Sequence, residues 1–153
     1  MRLLKLRAED AQDLAVMAAI LQDARIPLRE MVFEYEQRRF LAAFRRYRRE
    51  LLPDPCAVSE ELTEISSVLG FLEVAGVRYR RLDPSKPEEE LALLTIATEP
   101  GRAHPFHIRL LFDGGKEILL LADGLRAWLE DFGEPAPAQR LPPDHMGDEP
   151  TGA

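Results

Sequence analysis

The stretch from Phe106 to Phe132 constrains the fold more than any other. It reads F-H-I-R-L-L-F, D-G-G-K, E-I-L-L-L-A and then D-G-L-R-A-W-L-E-D-F-G. Phe106, Ile108, Leu110 and Phe112 alternate with His107 and Arg109, the period of a strand with one buried face. Gly114 and Gly115 can take positive φ without steric cost, as a tight turn between twisted strands requires. Asp113 favours turn initiation through its side chain. Ile118 to Leu121 is continuously apolar, which implies cover on both faces. Asp123 is placed to cap a helix, Leu125, Trp128, Leu129 and Phe132 recur at helical spacing, and Gly133 suits a left-handed helix end. The expectation is a strand hairpin followed by a C-terminal amphipathic helix laid on an antiparallel sheet.

Earlier segments extend that sheet. Ala8 to Gln22 reads as helix, with Leu14, Met17, Ala18 and Leu21 on one stripe and Glu9, Asp10 and Asp13 near its positive end. Pro27 prevents its continuation. Met31, Phe33 and Tyr35 alternate, Gln37-Arg38 makes a tight connection, and Phe40, Ala42 and Phe44 alternate on the way back. This predicts a hairpin over Met31 to Tyr47. Leu51 to Glu60 is a proline-containing loop, and Ser59-Glu60-Glu61-Leu62 could start a short helix. Ile65 to Arg80 is rich in β-branched and aromatic residues and reads as one bent strand or two short ones, with Gly70 and Gly76 at the bends. Asp83 to Glu90 is a charged loop. Leu91 to Thr98 is a buried strand.

The predicted fold class is α+β: about six to seven antiparallel strands, an N-terminal helix and a C-terminal capping helix. Consecutive strands are joined by turns or short loops, which argues against a doubly wound nucleotide-binding fold. No glycine-rich phosphate loop is present, because Gly114-Gly115 lies between strands. A single domain over residues 1–133 is expected. From Glu134 to Ala153 the chain has five prolines and almost no large apolar residues, so a disordered tail is expected there.

Composition narrows the function classes. With 153 residues and 46% hydrophobic content the chain can bury a core without a metal or a disulfide staple. The apolar runs are too short for a membrane span, and no secretory signal is expected from Met1-Arg2-Leu3-Leu4-Lys5-Leu6. Cys56 is the single cysteine, in a proline-flanked loop with no histidine nearby, so a bland thiol is the better reading than a nucleophile. A reducing cytoplasm follows as the expected compartment. The net charge is −7. Its distribution is uneven: residues 38–49 (R-R-F-L-A-A-F-R-R-Y-R-R) hold six arginines and no acid. The remainder is strongly acidic, which argues against non-specific nucleic-acid binding.

Several strings resemble a bacterial family, domain-of-unknown-function family 2948. They are Leu21-Gln22-Asp23-Ala24, Arg38-Arg39-Phe40, Leu72-Glu73-Val74-Ala75-Gly76-Val77, Leu91-Ala92-Leu93-Leu94, and Gly114-Gly115 followed by Asp131-Phe132-Gly133. The resemblance runs from about Leu4 to His145 and brings no activity, cofactor or functional residue with it. The chain departs from that family's pattern at Arg45-Arg46-Tyr47, where the family has an asparagine-arginine-aromatic run. The architecture also resembles a pleckstrin-homology-like barrel, which implies Trp128 plugging one open end. As a plain core residue on an apolar helix face, Trp128 needs no such analogy.

Candidate chemistry is sparse. His104 and His107, with Pro105 between them, point to opposite faces of an extended segment and make a poor metal pair. His145 lies in the tail. Glu60-Glu61, Glu88-Glu89-Glu90 and Glu130-Asp131 read as solvated surface charge rather than catalytic carboxylates. Ser66-Ser67 lies in no nucleophile-elbow context. No catalytic residue, metal or cofactor is implied.

The arginines are the unusual feature. Phe40, Phe44, Arg46 and Arg48 fall on one face of an ideal strand; Leu41, Arg45, Tyr47 and Arg49 fall on the other. Arg78, Arg80 and Arg81 end a later strand. If the two strands are neighbours, these guanidinium groups converge on a surface suited to phosphate, carboxylate or an acidic protein. The bland alternative is a solvated strand that pairs with the acidic remainder and protects a sheet edge. The reading is a non-catalytic protein- or anion-binding module. The alternative is an enzyme of unrecognised class with His107 as general base. Self-association through a sheet edge is a third.

Overall fold

A computed structural model describes residues 3–52 and 62–143. The strands, in chain order, are β1 (Lys5–Ala8), β2 (Arg25–Pro27), β3 (Met31–Glu34), β4 (Arg39–Tyr47), β5 (Thr63–Phe71), β6 (Val74–Arg80), β7 (Glu90–Pro100), β8 (Phe106–Phe112), β9 (Lys116–Ala122) and β10 (Ala127–Pro137). One helix, α1 (Ala11–Ile20), follows β1. Every strand pairing is antiparallel. The order across the sheet is β1-β10-β5-β4-β2-β7-β8-β9-β6, with β3 added beside β4.

Both predicted hairpins form. Phe33 pairs with Phe40 in the first, and Arg38 takes positive φ in its turn. Leu110 pairs with Ile118 in the second, and Gly114 and Gly115 both have positive φ. The helix is shorter than its apolar stripe suggested. Asp10 caps it by accepting from the Asp13 backbone N–H at 2.7 Å. Ala8, expected in the helix, is the last residue of β1.

A single core joins the two halves of the sheet. Phe40, Phe44, Leu69 and Phe71 come from β4 and β5, Leu110, Phe112 and Leu120 from β8 and β9, and Leu14 and Met17 from α1. The sheet therefore folds over on itself, with β2 as the hinge: Arg25 pairs with Arg45 of β4 on one side and Ala92 of β7 on the other. It does not close. β1 and β6 stand at opposite ends of the strand order and are not paired, so the barrel expected from the pleckstrin-homology likeness does not form.

The main correction lies at residues 127–137. The predicted C-terminal helix is strand β10, set between β1 and β5. Ala127, Leu129 and Asp131 face inward, while Trp128, Glu130 and Phe132 face outward. The apolar residues keep helical spacing and do not alternate: Leu129 faces inward, and Trp128 and Phe132 outward. What decides is the pair of open backbone ladders on β1 and β5, whose N–H and C=O groups a helix could not satisfy. The strand total rises from six or seven to ten because β1 and β2 are too short to show a periodicity and β10 was read as helix. The break after β5 falls at Leu72-Glu73, where Glu73 has φ 57°, and Gly70 stays inside its strand. Cys56, His145 and the helix start expected at residues 59–61 lie outside the described residues. Among the described residues, no helix is long and apolar enough to cross a membrane.

Candidate functional site

The arginines of β4 begin the account. Arg46 sits on the core side of its strand, in line with Phe44, and is fully buried. Burial opposes its charge, but five donors in a fixed fork can be satisfied if acids surround it. They do. Arg46 Nε and Nη2 donate to Asp131 Oδ1 and Oδ2 at 2.8 and 2.7 Å. Nη1 and Nη2 donate to Glu50 Oε1 and Oε2 at 3.0 and 2.9 Å. Ser67 Oγ and the Tyr47 carbonyl accept further bonds. Asp131 in turn accepts from Ser67 Oγ and from the Leu4 backbone N–H. Burial pushes the Asp131 carboxyl up. The bonds from Arg46, Ser67 and Leu4 outweigh it and hold the group below its ordinary value. The Arg46 guanidinium is raised by the same contacts against its own desolvation.

Its neighbours are engaged likewise. Arg45 Nε donates to Glu64 Oε1 at 3.0 Å, and Arg25 Nη2 donates to the other oxygen of Glu64 at 2.7 Å. Glu64 is buried and bridges the two. Arg49 donates to Asp23 Oδ2 at 2.8 Å and to the Gln22 carbonyl, with its guanidinium 5.4 Å from the Tyr47 ring centroid. Arg48 is buried, and its backbone N–H donates to Thr63 O. These four side chains are placed inward or against carboxylates.

Arg78, Arg80 and Arg81 lie elsewhere. β6 pairs with β9 and ends the strand order opposite β1, so it is not a neighbour of β4. The condition for convergence of the two arginine groups, that their strands be neighbours, is not met. Arg78 and Arg80 alternate on the outer face, beside Leu119 and Glu117 of β9, and Arg81 follows with φ 58°. All three are exposed, and none of their side chains makes an ion pair or hydrogen bond among the described residues.

Two recesses open on this surface. One, of about 320 Å³, is lined by Arg78, Arg102, His104, His107, Leu119 and Leu121. Arg102 also lacks an acidic partner among the described residues. The two histidines, expected on opposite faces, line the same recess because residues 102–105 bend instead of running straight. The other, of about 390 Å³, has Arg80 and Arg81 on its wall with Lys116 and Glu117. His104 Nδ1 lies 2.8 Å from Asp123 Oδ1, and Arg38 holds the other oxygen of that carboxylate. The His104 bond, then that of Arg38, keep Asp123 below the usual carboxylate range. His107 has no such partner: Glu99 Oε1 is 4.0 Å from its Nδ1, and Glu99 is already bound by Arg109 at 2.5 Å. Among the described residues, no group of three or more His, Cys, Asp and Glu side chains is placed to hold a metal ion.

The family model described as "Protein of unknown function (DUF2948)" matches residues 4–145. The chain belongs to this family. The match covers β1 through β10, so DUF2948 is the whole folded sheet and not a part of it. No curated protein and no solved structure matches the chain.

A third recess, of about 340 Å³, lies at the other end of this DUF2948 sheet, around Trp128. Trp128 was expected on a helix facing the core. It is half-buried on the outer face of β10, opposite Arg7 of β1 and Gly70 of β5. A Cβ at Gly70 would fall almost equally close to Cε2, Cζ2 and Cη2 of Trp128, three consecutive atoms. Only the flat side of a ring can present that approach. The indole therefore lies face-down on the glycine backbone, shielding it as aromatic side chains do for sheet glycines. Arg7 and Arg126 flank it, both exposed and without an acidic partner among the described residues. Burial alternates from residue 127 to 131, but the residue types do not, so no sequence signal marks this placement. None marks Arg102 either, since it sits in an irregular turn.

Proposed function

We propose that this chain is a non-catalytic module that binds an anionic group, carried by a protein partner or a small ligand, through Arg78, Arg80 and Arg81 of the β6 end, with Arg102 beside them. The supporting observation is the division of the arginines. Arg45, Arg46 and Arg49 are spent on Asp131, Glu50, Glu64 and Asp23. Arg78, Arg80 and Arg81 keep their donors exposed in a molecule of net charge −7. An unpaired guanidinium fork is a ready partner for carboxylate or phosphate. Arg78 and Arg80 are two residues apart on one strand face, about 7 Å by strand geometry, so two acidic groups can be met at once. The committed arginines of β4 enter this reading as the frame that holds the sheet.

The alternative, an enzyme with His107 as general base, has less behind it. A base needs a group to orient it, and the carboxylate nearest His107 belongs to Arg109.

Retention on immobilised polyglutamate and heparin tests the proposal. The unaltered chain is expected to be retained at low salt despite its acidity. Arg78→Gln/Arg80→Gln/Arg81→Gln should elute in the first wash, with an unchanged circular dichroism spectrum. A folded triple variant retained like the parent would overturn the assignment.

A further inference from the structure

We infer that the Trp128 recess is a second binding site, separate from the β6 arginines, for a small aromatic anion of mononucleotide size. The ring is held flat by its contact with Gly70, so its other side faces away from the sheet. The main neighbours of β10 are β5 and β1, which flank it in the sheet, and α1 packs against β1 and β7. A rigid, partly buried indole plane is a stacking platform for a planar ring, and stacking on it requires no reordering of the protein.

Charge decides what the ring should carry. Arg126 stands just before β10, two residues ahead of Trp128, and lines the recess, while Glu130 follows Trp128 by two on the same strand face. Arg7 stands directly opposite Trp128 on β1. Lys5 lies 3.9 Å from Glu130 and offsets it. The cations Lys5, Arg7 and Arg126 thus outnumber the acids Glu9 and Glu130 in the lining. Arg7 and Arg126 hold free donors beside the indole. A base stacked on Trp128 with its phosphate turned toward Arg126 and Arg7, away from Glu130, satisfies both features. A recess of about 340 Å³ falls at the small end of ligand sites, which run from about 300 to 1,000 Å³.

Trp128 is the only tryptophan, so its fluorescence reports on this site alone. Adenosine 5′-monophosphate, adenosine and inorganic phosphate are the probes, each titrated by fluorescence and by calorimetry. The nucleotide is expected to bind saturably, and adenosine at least ten-fold more weakly. Phosphate alone should leave the emission unchanged. Arg7→Gln/Arg126→Gln should weaken the nucleotide at least ten-fold and leave adenosine where it was. Neither arginine has a partner to lose, so this variant is expected to fold. Arg78→Gln/Arg80→Gln/Arg81→Gln should have no effect, which separates this site from the β6 surface. Absence of heat and of emission change with millimolar nucleotide would overturn the inference. Equal affinities for nucleotide and nucleoside, insensitive to the Arg7 and Arg126 changes, would do the same.

Discussion

The guanidinium of Arg46 and the carboxylate of Asp131 form two hydrogen bonds across 85 residues of sequence, at 2.8 and 2.7 Å, with neither side chain exposed. This pair ties β4 to β10 through the intervening β5, because Ser67 of β5 donates to the same carboxylate. An ion pair so buried contributes little over a well-packed apolar pair, yet breaking it strands a charge.

Asp131→Ala should therefore cost about 3–5 kcal/mol, measured as a fall in the urea midpoint at neutral pH. Arg46→Met with Asp131→Leu together should cost less than the two single changes summed. Additive losses would show that the two side chains are not coupled.

The same pair gives the fold an acid limit. Asp131 titrates lower in the folded chain than in the unfolded one. Its contribution is complete above the unfolded value, about 3.9, and drains away as pH falls through the folded value. Arg46 is shifted further upward and stays charged throughout. Unfolding midpoints should thus fall steeply from about pH 4 downward, and Asp131→Asn should flatten that slope. An unchanged slope in Asp131→Asn would assign the acid limit to other carboxylates.

The two arginine sets should separate in stability as well as in binding. Arg78→Gln, Arg80→Gln and Arg81→Gln each remove an exposed, unpaired group, and each should shift stability by less than about 0.5 kcal/mol. Arg45→Gln withdraws a charge-assisted bond from buried Glu64 and should cost about 1 kcal/mol, the value being reduced by the partial exposure of Arg45. Thermal melts of the single variants provide the comparison.

Gly70 and Gly76 make a matched pair. A methyl at Gly70 overlaps the Trp128 ring, so Gly70→Ala should cost about 1–3 kcal/mol and alter tryptophan emission. At Gly76 the added carbon meets only Leu121 Cδ1, at 3.6 Å, and φ is not positive. Gly76→Ala should be neutral or stabilise by about 0.5 kcal/mol, through the unfolded chain. Denaturant titration with emission as the probe reads both effects.

Local chemistry made part of this legible from sequence. The β3–β4 and β8–β9 hairpins show because alternation and turn residues are both local, and Gly114 and Gly115 take the positive φ their turn requires. The strand at Ala127–Pro137 is hidden in the sequence, because Leu125, Trp128, Leu129 and Phe132 keep helical spacing and fall on both faces of a strand. The arbiter is the pair of open edges on β1 and β5, which no short window contains. The arginine strand was visible as an oddity. Its meaning was not, since Asp131 and Glu64 meet Arg46 and Arg45 only through strand order. His104 and His107 line one recess because of a bend at residues 102–105, which alternation along an extended segment does not reveal.

The place of β10 between β1 and β5 carries a consequence for biosynthesis. On the ribosome, β1 is made well before β10 and must wait for it before its ladder can form. Until then β5 offers a bare edge, and Arg46 lacks its inner carboxylate. A nascent chain stalled short of Ala127 is therefore unfinished in both backbone and charge, with an open sheet edge of the kind that invites aggregation.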